Sequence, residues 1–144
     1  MEIDPLDEVT YRLRLAEEHL QAALKRLKSR DWAGAVEASQ LTAENAAKAV
    51  IAHSMMPSWS HDPSDELLEA AESLPRSLKR AVKALAAITR RLPPEHGRTS
   101  YGLPEERLTP SALYNPEKAR RAVKSAKGAL NLAKRILAEL GYPT

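Results

Sequence analysis

Asp31-Trp32-Ala33-Gly34-Ala35-Val36-Glu37-Ala38-Ser39-Gln40-Leu41-Thr42-Ala43-Glu44-Asn45-Ala46-Ala47-Lys48-Ala49-Val50-Ile51-Ala52 is the stretch on which the fold turns. It carries eight alanines between Ala33 and Ala52, spread over more than one helical face. Alanine is the best helix former, and small side chains all round let neighbouring helices approach closely. The stretch therefore reads as a helix from about Trp32 to Ser54, capped by Asp31, at the centre of a helical bundle. Met55-Met56-Pro57 ends it.

The flanking segments supply the partners. Before it, Asp4 is an N-cap with Pro5 at the first helical position. Leu6, Val9, Leu13, Ala16, Leu20, Ala23 and Leu27 follow in steps of three and four, the stripe of a helix that packs on others. After it, Asp62 and Pro63 start a short third helix with Leu67 and Leu68 inward. A fourth runs from about Pro75 to Leu92, with Leu78, Val82, Leu85 and Leu92 on its inner face. Pro93-Pro94 stops it. Residues 93–115 hold four prolines and two glycines with no helical period and read as a long irregular loop. Asn115-Pro116 then caps a last helix, with stripe Ala119, Val123, Ala126, Leu130, Ala133, Leu137 and Leu140, that Gly141 ends. The expectation is one all-α domain over residues 1–144, an up-and-down bundle of four to five helices with a long loop before the last.

Composition narrows the chemistry. The 144 residues include no cysteine, which removes thiol catalysis, disulfides and cysteine-based zinc sites. No apolar run approaches the roughly 18 residues of a membrane span, and the N-terminus has no signal segment, so a soluble cytoplasmic protein is expected. No phosphate-binding glycine loop, nucleophile elbow or metal motif is present, and no cofactor or metal is expected. Residues 1–73 hold 7 basic and 14 acidic side chains, and residues 74–144 hold 15 and 5. That asymmetry describes either solvated helix faces or a bipolar molecule whose basic half meets an acidic partner. Arg76, Lys79, Arg80 and Lys83 on the fourth helix, and Arg120, Lys124, Lys127 and Lys134 on the last, could follow a phosphate backbone or form a solvated face.

Glu44 and Lys48 lie one turn apart in the order that favours an ion pair. On a central helix the pair is partly desolvated, so that it fixes packing. His61 precedes the cap Asp62 and closes the turn into the third helix; His19 and His53 stand alone.

The pattern Asp31-Trp32, Ala35, Ser39-Gln40, Ala43-Glu44, Ala46-Ala47-Lys48-Ala49, then His61-Asp62 and a short leucine-rich helix, resembles the HEPN domain family. The resemblance extends over about residues 10–140. It implies a homodimeric helical bundle in which some members are ribonucleases and others are partners of a minimal nucleotidyltransferase. The ribonuclease branch carries an R-x4–6-H motif before the last helix, and Arg91-Leu92-Pro93-Pro94-Glu95-His96 has that spacing. A histidine there moves the proton of an RNA hydroxyl, and an arginine holds the phosphate, without a metal. Leu92 replaces the polar residue usual in active members, and Pro93-Pro94 interrupts a motif usually carried on helix. Arg98-Thr99-Ser100-Tyr101 resembles an arginine–tyrosine segment of members outside the toxin branch. Tyr101 either anchors the loop to the bundle or lines a nucleotide cleft with Arg98. The reading is thus a HEPN-like partner-binding or nucleotide-binding half of a two-protein, toxin–antitoxin-like module, with Arg98, Tyr101, Glu44, Lys48 and His61 as binding residues. The alternatives are a metal-independent ribonuclease using Arg91 and His96, and a structural adaptor.

Overall fold

The structure, a computed structural model, describes residues 4–92 and 95–144, with Glu95 and His96 described by backbone alone. Helix α1 (Pro5–Lys28) turns back into α2 (Trp32–Ile51). Arg30 takes a left-handed conformation at that turn. The Asp31 carboxylate accepts from the Gly34 N–H at 3.0 Å, and a Cβ on residue 34 would run into that carboxylate. A short α3 (Ser64–Ala71) follows, then a 3-10 turn at Arg76–Leu78 that leads into α4 (Lys79–Arg91). The chain closes with α5 (Glu95–Tyr101), a 3-10 turn at Pro104–Glu106, α6 (Pro110–Leu113) and the long α7 (Pro116–Glu139).

α2 is the axis of the bundle and touches each of the other six helices. Between Ala35 and Ile51 every residue except Glu37 and Leu41 is buried. The buried hydroxyls of Ser39 and Thr42 donate to the carbonyls of Ala35 and Ala38, one turn back, which satisfies them without a neighbour. The inner stripes of α4 and α7 are buried as expected, apart from a half-buried Leu140. On α1 the ends of the stripe depart: Leu6 is exposed, and Leu20 and Leu27 are half-buried.

Three expectations need correction. Residues 93–115 are not one irregular loop, since they contain α5 and α6. Helices of seven and four residues are too short to display a period, and α5 buries only Thr99 among its described side chains. The third helix starts at Ser64, two residues after Asp62, whose carboxylate accepts from the Ser64 N–H at 3.1 Å. The central helix ends at Ile51, and residues 52–54 form turns. Gly102, with φ of 69°, passes so close to the Leu108 carbonyl that a Cβ would collide with it. There Leu103 and Leu108 exchange backbone hydrogen bonds of 2.8 and 3.1 Å, an isolated bridge that folds the α5–α6 segment onto itself.

Candidate functional site

Two polar constellations stand out, and they are built differently. The first follows from helical spacing: Gln40, Glu44 and Lys48 succeed one another at single-turn intervals on α2. Glu44 Oε2 meets Lys48 Nζ at 3.3 Å. Its Oε1 accepts from Gln40 Nε2 at 3.0 Å and lies 2.9 Å from His61 Nδ1. The Glu44 and Lys48 side chains keep only 8% and 4% of their exposure, whereas His61 keeps 56%. His61 therefore does more than close a turn: it lids the buried carboxylate. From α1, burial lowers the His19 pKa below its ordinary value, and the charge on Glu44 opposes that shift. Arg12 completes this seam, joining Glu8 at 2.9 Å and donating to Asn45 Oδ1 at 3.1 Å. No buried side-chain nitrogen or oxygen among the described residues lacks a hydrogen-bond partner.

The second constellation is a cleft of about 460 Å³ where the end of α4, α5, α6 and the start of α7 meet α2. Val36, Leu92, Leu103, Leu113, Tyr114 and Ala122 make its floor and walls. Arg91, Arg98, Lys118 and Arg121 stand around it, with the Ser125 hydroxyl. α7 positions three of these because residues 118, 121 and 125 recur on one helical face, fixed by the Asn115 cap, whose side chain accepts from Lys118 N at 2.8 Å. Lys118 Nζ donates to the Leu113 carbonyl at 2.9 Å. The three arginines pair with no carboxylate among the described residues. Planar guanidinium groups suit phosphate, which they grip through two parallel hydrogen bonds. A volume of this size over an apolar floor suits a small molecule.

Of the residues singled out in the sequence, Glu44, Lys48 and His61 come together at the first site, and Arg91 and Arg98 at the second. Tyr101 joins neither. It is 76% exposed. His96 falls on the backbone of α5, five positions after Arg91, with its side chain outside the described residues. Lys118, Arg121 and Ser125 escape a reading of the sequence. The available signal is their shared face beside the buried Ala122. A further pair ties down the C-terminus: Tyr142 Oη lies 2.7 Å from His53 Nδ1, ring edge to ring face. Burial, with a smaller contribution from Asp4, raises the Tyr142 pKa. Among the described residues no three side chains are grouped to hold a metal ion, and no helix is long and apolar enough to cross a membrane.

The fold and the two sites define a class: a small helical bundle with a saturated polar axis and an open, arginine-lined cleft. Residues 9–136 match the HEPN domain model, and the chain belongs to that family. Among solved structures it is similar to TT1696 from Thermus thermophilus, with a TM-score of 0.66 and 24% identity over 88% of this chain and 96% of that one. That likeness concerns the fold. No curated protein matches the chain.

Proposed function

We propose that this HEPN protein is the nucleotide- or partner-binding half of a two-protein module with a minimal nucleotidyltransferase, and that the arginine cleft is its anion site. The observation that carries the reading is the convergence of Arg91, Arg98 and Arg121, without carboxylate partners among the described residues, on an apolar floor. Three unneutralised guanidinium groups facing one space repel one another, and a bound phosphate chain relieves that repulsion. Calorimetric titration with a nucleoside triphosphate tests the anion site. Saturable binding that weakens as salt rises is expected, and no binding at low salt defeats it. Co-elution with a nucleotidyltransferase encoded beside this chain tests the module. Light scattering should give about twice the 15.9 kDa chain mass, the homodimer that the family leads us to expect.

One observation favours a second reading, a metal-independent ribonuclease. Helix resumes at Glu95, so His96 lies on α5, just after an Arg91 that lines the cleft. Purified protein incubated with single-stranded RNA and EDTA tests it. Little or no cleavage is expected, because Leu92 and Pro93-Pro94 depart from the active pattern. Robust cleavage that His96→Ala abolishes puts the ribonuclease first.

A further inference from the structure

α4 and α7 lie side by side in opposite directions. Residues around Arg80 and Ala84 share a surface depression with Leu132 and Arg135, while Arg91 and Leu92 share the cleft with Arg121 and Ser125. Between these ends Gly128 sits directly under Ile88, so the two helices run close together along a shallow groove.

The charge along this groove is predominantly positive, the one carboxylate that lines it being Glu139 at its far end. Arg80 and Arg91 on α4 and Arg121 and Arg135 on α7 line it and are exposed. α4 contains no acidic residue, and on α7 the acids are confined to Glu117 and Glu139 at its ends. The neutralised cations point elsewhere: Arg90 pairs with Asp65 of α3, and Lys134 with Glu17 of α1. None of the four groove arginines has a carboxylate partner among the described residues. At 1.5 Å per residue the cations extend over roughly 16–21 Å of helix.

We propose that the α4–α7 groove docks the phosphate backbone of a double-stranded nucleic acid, held by charge and independently of base sequence. A protein partner is disfavoured because interface cores are built on large apolar and aromatic side chains. The exposed ones here, Leu6, Tyr11, Met55, Met56, Trp59 and Tyr101, all lie outside α4 and α7. A single strand is disfavoured because no aromatic ring on these helices offers a platform for stacking bases. Phosphates alone match what the groove presents. The docking surface extends past the cleft and holds whether or not a nucleotide binds there.

Fluorescence anisotropy with labelled RNA and DNA duplexes of unrelated sequences tests this. Engaging roughly four phosphates gives a log Kd against log salt slope of magnitude about 4. Binding of either duplex supports the proposal, and the tighter one identifies the source. Arg80→Glu with Arg135→Glu should weaken duplex binding more than about tenfold and lower the slope by about 2. Binding of a nucleoside triphosphate in the cleft should stay within about twofold, because both positions lie at the far end of the groove. If the charge-reversed protein has altered melting behaviour, Arg80→Gln with Arg135→Gln gives the same reading with less perturbation. Duplex affinity that is insensitive to salt or to these substitutions overturns the proposal. So does binding of polyglutamate as tight as that of duplex, which assigns the groove to an acidic protein. Loss of nucleotide binding in the wild type, with duplex binding intact, defeats the cleft reading and leaves this one standing.

Discussion

The polar axis around Glu44 and the cleft around Arg98 use the same kinds of residue to opposite ends. In the first, one carboxylate is shared by an ammonium, an amide and an imidazole, and the two charged members that lie on α2 are almost wholly out of water. In the second, guanidinium groups gather without carboxylates among the described residues and face an open space. Charge that the fold itself neutralises holds structure. Charge left unneutralised at a concave surface is available to something else. The contrast says where to expect losses of stability and where losses of binding.

Four experiments press on that contrast. Glu44→Ala should produce the largest effect, a destabilisation of about 3–5 kcal/mol in urea melts, because it strands a buried Lys48 ammonium. Replacing both partners, Glu44→Leu with Lys48→Met, should recover much of that loss; if it does not, the pair does more than neutralise itself. Next, Arg98→Ala should leave the melting curve unchanged and weaken nucleoside triphosphate binding by about tenfold, roughly 1.4 kcal/mol. A drop in stability without a change in affinity would erase the distinction between the sites. His61→Ala should cost less than about 1 kcal/mol, since its half-exposed ring shares its electrostatic gain with water. The smallest effect belongs to His19. Its folded pKa lies below the ordinary value of 6.5, so the unfolded chain binds the proton more readily. Stability is therefore intact above that value and declines as pH falls towards the folded pKa. His19→Gln should flatten the dependence of melting temperature on pH between about 7 and 5; an unchanged slope would mean that burial at His19 does not matter.

The sequence discloses the fold well where the signals are local. Asp4, Asp31 and Asn115 cap their helices as their types suggest, accepting from Leu6, Gly34 and Lys118. The alanine distribution on α2 places it at the centre, and one-turn spacing joins Glu44 to Lys48. What stays hidden depends on chain closure. His61 reaches Glu44 across 17 residues of sequence, a contact set by how residues 52–63 return over α2. The cleft is assembled from α2, α4, α5, α6 and α7, so Arg121 and Lys118 look like ordinary surface cations until those elements meet. α5 is concealed by composition, because Gly97 and the flanking prolines mark a loop while the seven residues between Pro94 and Gly102 are helical. Tyr101, which the sequence pattern groups with Arg98, stands 76% exposed and outside the cleft lining that Arg98 joins.

Enclosing α2 on every side has a consequence for the order in which the molecule opens. A helix whose buried side chains are alanine or polar except for Val36, Val50 and Ile51 offers little apolar area per residue, so it gains its stability from the layers laid over it rather than from its own side chains. It cannot persist in a partly unfolded form from which α1 or α7 has peeled away. Its amide hydrogens should therefore exchange with solvent only through global opening, while those of α5 and α6 exchange through local excursions. The rim of the cleft can thus reshape around a ligand on a fast timescale above a centre that moves only when the whole protein does.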